Sequence, residues 1–227
     1  MNTSGLLHLF LHTILIFRAS AMATARKIFC FGDSLTAGTS PPLNQDFPYA
    51  LHLQSTLRNN YPELSGVLVR WKGFPGWTAP NLYREGGLAD TMDKIESSAG
   101  PLDLVIILAG TNDLAFEANS DDIFNSIKKL HDIPHGKRVK TLCLGIPPSG
   151  WQMQSKETRD IAKSVNSKLR SWAVNDSCGL VTFAPFPIVS YDNSSGFWCG
   201  DGLHFSPKGY QFLGENLATI VAKVLSN

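Results

Sequence analysis

Apolar residues in this chain gather into short, nearly continuous runs rather than alternating ones. Five such runs, rich in β-branched and aromatic residues, fall at about 27–32, 66–71, 103–109, 138–146 and 179–183. Strands covered on both faces have this pattern, because neither side of the pleat faces water. Between the runs the period changes. Ile123, Phe124, Ile127 and Leu130 follow Ser120, which the pattern predicts as an N-cap. Ile161, Val165, Leu169 and Trp172 mark one face of a longer helix, and Leu213, Leu217, Ile220, Val221 and Val224 mark the last one. That last helix begins at Ser206-Pro207, a cap followed by proline at the first helical position.

Strand and helix therefore alternate five times. Such alternation predicts an α/β protein: a three-layer α/β/α sandwich around a five-stranded parallel sheet, with right-handed crossovers and a flavodoxin-like order. No repeat or linker interrupts it. Pro147-Pro148-Ser149-Gly150 and Gly86-Gly87 read as turns, so residues 22–227 are expected to form a single domain.

Composition narrows the function classes. A hydrophobic share of 43% with 17% charged residues fits a globular chain, and a net charge of +1 without a basic block gives no basis for binding nucleic acid. Residues 1–21 are set apart: Leu6 to Phe17 is mostly apolar and Ala19-Ser20-Ala21 offers a small-residue cleavage site. The segment resembles a secretory signal peptide, but lacks Lys or Arg at its start, and Arg18 lies on the wrong side. It is expected to be a signal peptide or an N-terminal extension. The first reading sends the protein to the secretory pathway; a start at Met22 would leave it in the cytoplasm. The apolar run is too short for a comfortable membrane span. Of the four cysteines, Cys30 and Cys143 fall in strand-like runs and are expected to be buried thiols, whereas Cys178 and Cys199 could pair in an oxidising compartment. No Cys-x-x-Cys pair suggests zinc, and His52, His131 and His135 lack metal-site spacing and are expected at the surface.

Four blocks carry candidate chemistry. Phe31-Gly32-Asp33-Ser34-Leu35 ends the first strand, Gly73-Phe74-Pro75-Gly76-Trp77-Thr78 follows the second, and Gly110-Thr111-Asn112-Asp113 follows the third. Asp201-Gly202-Leu203-His204 precedes the closing helix. In a parallel sheet these loops emerge on one edge, where ligands bind, and can converge. The set, in the order Ser, Gly, Asn, Asp-x-x-His, resembles the SGNH hydrolase superfamily, also called GDSL esterases and lipases, over residues 27–225. One departure is visible. Where many members carry an asparagine five residues before the glycine of the second block, this chain has Trp71, after Arg70.

Ester hydrolysis explains why these residue types would be needed together. A neutral serine hydroxyl is a weak nucleophile, so Ser34 needs a base, and an imidazole such as His204 can both accept and return a proton near neutrality. Asp201 would orient that imidazole and stabilise its cation. The resemblance implies an oxyanion hole from the backbone N–H groups of Ser34 and Gly76 and the side-chain amide of Asn112, each donor worth on the order of 3 kcal/mol in the transition state. Glycine at 76 would let the backbone approach the reacting carbonyl. Asp33 and Asp113 are expected to bind nearby loop amides. Phe74, Trp77, Trp151 and Trp198, with Phe197, lie in loops on the same edge and are candidates for an apolar substrate pocket.

The expected activity is that of a serine esterase acting on small-acyl or lipid-like carboxylic esters through an acyl-enzyme, without cofactor or metal. Deacetylation of a carbohydrate, lysophospholipid hydrolysis and non-catalytic capture of esters or glycans are the alternatives. A phosphate binder is disfavoured by the carboxylate of Asp33 in the first loop and by the absence of a phosphate-loop motif, and an α/β-hydrolase fold by the absence of Gly-x-Ser-x-Gly.

Overall fold

The computed structural model describes residues 25–116 and 119–226. The segment 1–21, expected to be a signal peptide or extension, lies outside the described residues. From the N-terminus the elements are β1 (Lys27–Asp33), α1 (Ser34–Ala37), α2 (Tyr49–Asn60), β2 (Leu68–Phe74), α3 (Ala79–Glu85), α4 (Leu88–Ala99), β3 (Leu104–Leu108), α5 (Ser120–Gly136), β4 (Lys140–Leu144), α6 (Gly150–Gln154), α7 (Lys156–Val174), β5 (Val181–Ala184) and α8 (Pro207–Ser226). Single turns of 3₁₀ helix occur at Pro62–Leu64 and Asn112–Phe116.

All five strands are parallel, in the order β2-β1-β3-β4-β5. This is the flavodoxin-like order, whose switch point lies between β1 and β3. Because side chains alternate across a strand, each strand supplies both helical layers. Ile28 and Cys30 of β1, with Leu104, Ile106 and Leu108 of β3, face α2 and α8, where Leu53, Leu57, Leu213 and Leu217 are buried. Phe29, Phe31, Val105 and Ile107 face the other way, onto Met92 of α4, Ile127 and Leu130 of α5, and Val165 of α7. Each such fully buried side chain contributes roughly 1.5–3 kcal/mol. The continuous hydrophobic runs are thus the consequence of helices on both faces.

Several boundaries and placements differ from the sequence-based expectation. The second strand runs to Phe74, because β2 pairs with β1 along its full length, from Lys27↔Leu68 to Asp33↔Phe74. As the edge strand it tolerates Arg70 and Lys72, which interrupt the apolar pattern. The N-cap of α5 is Asn119 rather than Ser120: the Asn119 side chain accepts from the backbone of Asp121 and Asp122, leaving Ser120 inside the helix. His131 is fully buried, with Nδ1 2.8 Å from Thr141 Oγ1, so it is a core residue rather than a surface one. Half-buried His135 contacts the same hydroxyl through Nε2 at 2.9 Å.

The cysteine expectation is also corrected in part. Cys30 and Cys143 are buried, as expected, but Cys178 and Cys199 are both free thiols. Cys178 lies between α7 and β5, at the edge where the strands begin, whereas Cys199 is buried at the opposite edge, where they end, its Sγ 3.4 Å from Ser40 Oγ. The sheet separates them, a relationship invisible in sequence.

Candidate active site

Ser34 sits at the first position of α1, immediately past the end of β1 and beside the switch point. The turn is capped by Asp33, whose Oδ1 accepts the backbone N–H of Leu35 at 2.9 Å. Its tight seat on the sheet depends on glycine. A Cβ on Gly32 would stand 2.1 Å from the carbonyl oxygen of Leu108 in β3, and one on Gly73 would stand 2.2 Å from the backbone nitrogen of Ala37. Asp33 itself is fully buried and its Oδ2 has no hydrogen-bond partner. Burial pushes this carboxyl up to about 7, against the pull of the Leu35 N–H, and the nearby Asp113 adds to the rise.

The fourth block is a clasped loop. Trp198 bridges to Phe205, with Cys199 N–H donating to the carbonyl of His204 at 2.8 Å and Ser206 N–H to that of Phe197 at 2.9 Å. Inside the clasp, Asp201 Oδ1 accepts the backbone N–H groups of Leu203 and His204 at 2.9 and 3.0 Å. That leaves Oδ2 for His204 Nδ1, at 2.7 Å. The three-residue spacing is what lets one carboxylate shape its own loop and hold the ring. Partial burial by itself would raise the Asp201 carboxyl; the hydrogen bonds from the His204 ring and from the two backbone amides outweigh it and hold the group below the ordinary carboxylate range.

On its other side His204 Nε2 lies 3.0 Å from Ser34 Oγ, a contact between residues 170 apart in the chain. An ionised Asp201 can only accept, so Nδ1 carries the ring proton and Nε2 presents its lone pair to the serine. The Ser34 hydroxyl then donates to His204. Ser34 is buried while His204 and Asp201 are partly open to solvent.

The second and third blocks are bolted together. Phe74-Pro75-Gly76-Trp77 forms a turn closed by Trp77 N–H to Phe74 carbonyl at 3.2 Å, and Gly76 has φ +80°. Proline at the second position and a left-handed third residue make it a type II turn. A Cβ on Gly76 would meet no protein atom within 4 Å, so within the chain itself the glycine is required by its left-handed backbone conformation. Asn112 donates from Nδ2 to the Trp77 carbonyl at 2.9 Å, and the neighbouring Asp113 accepts the Ala79 N–H at 2.9 Å, at the start of α3. Asp33 and Asp113 thus bind loop amides, as their sequence context predicts.

The sequence model of the GDSL-like lipase/acylhydrolase family matches residues 30–212. This span contains all four blocks. The chain belongs to that family. Carboxylic ester hydrolysis is accordingly its class of reaction. A comparison with curated proteins gave no match. Among solved structures, a serine-to-alanine mutant of an acetyl esterase with acetate ion superposes at a TM-score of 0.66 and 18% identity, covering 88% of this chain and 98% of the other. Carbohydrate esterases of family 3 from Talaromyces cellulolyticus and Clostridium thermocellum superpose at 0.64 and 0.63. Both are 18% identical to this chain; they cover 88% and 89% of it, and 98% of their own chains are matched. Likeness at this identity is likeness of fold.

The aromatic candidates separate within this family member. Phe74 and Trp77 stack at 4.4 Å between ring centroids, half-buried in the type II turn. Trp151 is 38% exposed and, with Leu114 and Ala115 of the turn that begins at Asn112, lines a shallow depression of about 370 Å³. Trp198 is not a pocket residue: it is buried between Tyr191 and Phe205, with centroids at 5.0 and 4.5 Å, where it stiffens the clasp. Phe197 packs on Phe212 of α8. Tyr210, which the sequence pattern did not single out, donates from its hydroxyl to the Thr39 carbonyl at 2.7 Å and so ties α8 to the segment following Ser34. The one signal for it was a tyrosine on the apolar face of α8. Among the described residues, no group of three or more His, Cys, Asp or Glu side chains could hold a metal ion, and no helix is long and apolar enough to cross a membrane.

Proposed function

We propose that this chain is a serine esterase that hydrolyses carboxylic esters, with small acyl or lipid-like groups, through an acyl-enzyme on Ser34. The observation that carries the reading is the unbroken hydrogen-bonded line Asp201 Oδ2, His204 Nδ1, His204 Nε2, Ser34 Oγ, at 2.7 and 3.0 Å. Ser34 Oγ attacks the ester carbonyl carbon while its proton passes to His204 Nε2. Asp201 stabilises the imidazolium without taking a proton. Negative charge moves to the carbonyl oxygen, which accepts hydrogen bonds from the backbone N–H groups of Ser34 and Gly76 and from the free N–H of the Asn112 amide. The other N–H of that amide is held by Trp77, which fixes its direction before substrate arrives. The tetrahedral centre collapses, breaking the bond to the alcohol, which leaves with the proton from His204. Water then attacks the acyl-enzyme by the same route, releasing the carboxylic acid and restoring Ser34.

The stacked Phe74–Trp77 pair, flanking Gly76, supports an apolar contact with the substrate. A second reading, removal of acetyl groups from a carbohydrate, draws on Trp151, whose exposed indole face suits a sugar ring. The neighbours named acetyl esterase and carbohydrate esterase share this fold.

Hydrolysis of p-nitrophenyl esters from acetate to palmitate by the full chain, with Ser34→Ala in parallel, tests the reading. Turnover that falls by about a thousandfold or more in a folded Ser34→Ala protein is expected. A folded Ser34→Ala enzyme with normal rates would sink the mechanism. A maximum at long chains would favour lipid-like esters, and a maximum at acetate would call for comparing acetylated sugars with simple acetate esters to separate the two readings.

A further inference from the structure

Beyond the site at Ser34, a second and larger cleft opens at the β4–β5 end of the sheet. It has a volume of about 630 Å³ and lies between α7, α6 and the segment that follows β5. None of Ser34, Gly76, Asn112, Asp201 or His204 lines it. Its interior is apolar, contributed by Ile146, Ala162, Phe183, Phe186 and Ile188. Two of the most exposed apolar side chains of the molecule, Val189 at 87% and Met153 at 61%, stand among its lining residues. Exposed apolar groups gathered round an apolar hollow mark a place where something binds.

The polar side of the cleft has one sign. Arg159, Lys163 and Arg170 all line it, together with Asn166, and no Asp or Glu does. These positions are spaced by four, three and four along α7, so they share one face of that helix. None of the three cations has a carboxylate within ion-pair distance among the described residues. Arg159 donates only to the carbonyl of Gln152, at 3.2 Å, and the Arg170 guanidinium stands 4.9 Å above the Phe183 ring. Asp160, one residue away on the adjoining face, pairs with Lys156 at 2.7 Å and also feels the charges of Arg159 and Lys163, which help hold its carboxyl low. A row of cations without a direct carboxylate partner beside an apolar hollow is complementary to one kind of molecule, a chain with an anion at its end.

We propose that this cleft binds a single-chain anionic amphiphile, its hydrocarbon tail on the Ile146–Phe186 floor and its anionic head on Lys163, Arg170 and Arg159. The inference is independent of the chemistry at Ser34. It is tested with dodecanoate, below its critical micelle concentration, titrated calorimetrically into the full chain. Dodecanol and dodecyltrimethylammonium serve as uncharged and cationic counterparts. The expected result is one saturable site that Lys163→Glu with Arg170→Glu weakens by about tenfold or more, as loss of one to two charge-assisted contacts requires. Val189→Glu, at a solvent-exposed position that cannot unfold the core, should weaken it as well, and Phe74→Ala, beside the Ser34 site, should not. Equal binding of the cation, an unchanged affinity in both cleft variants, or no saturable binding would overturn the proposal. So would binding to anionic phospholipid vesicles without binding of the monomeric amphiphile, which would make the cleft a membrane contact.

Discussion

The Asn112 side-chain amide donates to the backbone carbonyl of Trp77 across 35 residues of sequence, at 2.9 Å. This bond joins the loop after β3 to the loop after β2 directly beside Gly76. The bond uses one N–H of the Asn112 amide and leaves the other for the oxyanion role proposed above.

Asn112→Ala removes both at once. The expected outcome is a fall in kcat on the order of a hundredfold or more, with much less change in KM, because the lost donor acts on charge that develops only in the transition state. Steady-state kinetics on the best p-nitrophenyl ester would check it; an equal rise in KM with kcat intact would assign Asn112 to ground-state binding.

Gly32 and Gly76 should differ sharply when each is changed to alanine. At Gly32 the new methyl meets the Leu108 carbonyl at 2.1 Å, and neither backbone can give way, so the loss should reach or exceed the roughly 3 kcal/mol upper end of ordinary overpacking. At Gly76 the methyl enters open space and only the left-handed backbone is strained, by about 1–2 kcal/mol. Urea denaturation of the two variants reads the difference, and similar midpoints for both would contradict the packing at β1.

Acid should weaken the fold through His131. Burial, with repulsion from His135 and Lys128, pushes this imidazole from 6.5 down to about 3. Between those values the unfolded chain takes up a proton that the folded one refuses, so stability falls as pH drops from about 6.5 towards 3, by up to about 1.4 kcal/mol per pH unit from this group. Comparing urea midpoints at pH 7 and pH 5 for the native chain and for His131→Leu gives the test. The variant should lose less on acidification, although it starts lower for want of the Thr141 contact.

Thiol labelling of the native protein should modify Cys178 alone. Cys30, Cys143 and Cys199 are buried, and burial raises all three thiols, Cys30 to about 12, so that little thiolate exists to react. Four groups should react after unfolding. A native protein with no reactive thiol, or with Cys178 linked to Cys199, would contradict the placement of these residues on opposite edges of the sheet.

Much of this architecture was written in the order of apolar runs and turns. All five strands, the parallel sheet and the convergence of the first and fourth blocks could be read before any coordinates, because burial on both faces leaves a plain mark on sequence. What escaped were relationships that depend on long-range pairing. Lys72-Gly73-Phe74 gained strand character only from the full register with β1. Trp198 lay in a loop yet was enclosed by Tyr191 and Phe205. His131 resembled its exposed neighbours until Thr141 of β4 came to meet it. The hollow beside Arg159, Lys163 and Arg170 on α7 also escaped, since its floor comes from three separate segments.

The clasp that holds His204 stands at the entrance to α8, and the Tyr210 hydroxyl anchors that helix to Thr39, just beyond Ser34. The proposed nucleophile and base therefore belong to the first and last parts of the described chain. A growing polypeptide emerging from the ribosome would present Ser34 early and remain inert until its final helix had been made and docked. If Ser34 and His204 act as proposed, ester cleavage should thus report completion of the whole fold, and a chain clipped or stalled before α8 would carry Ser34 in silence.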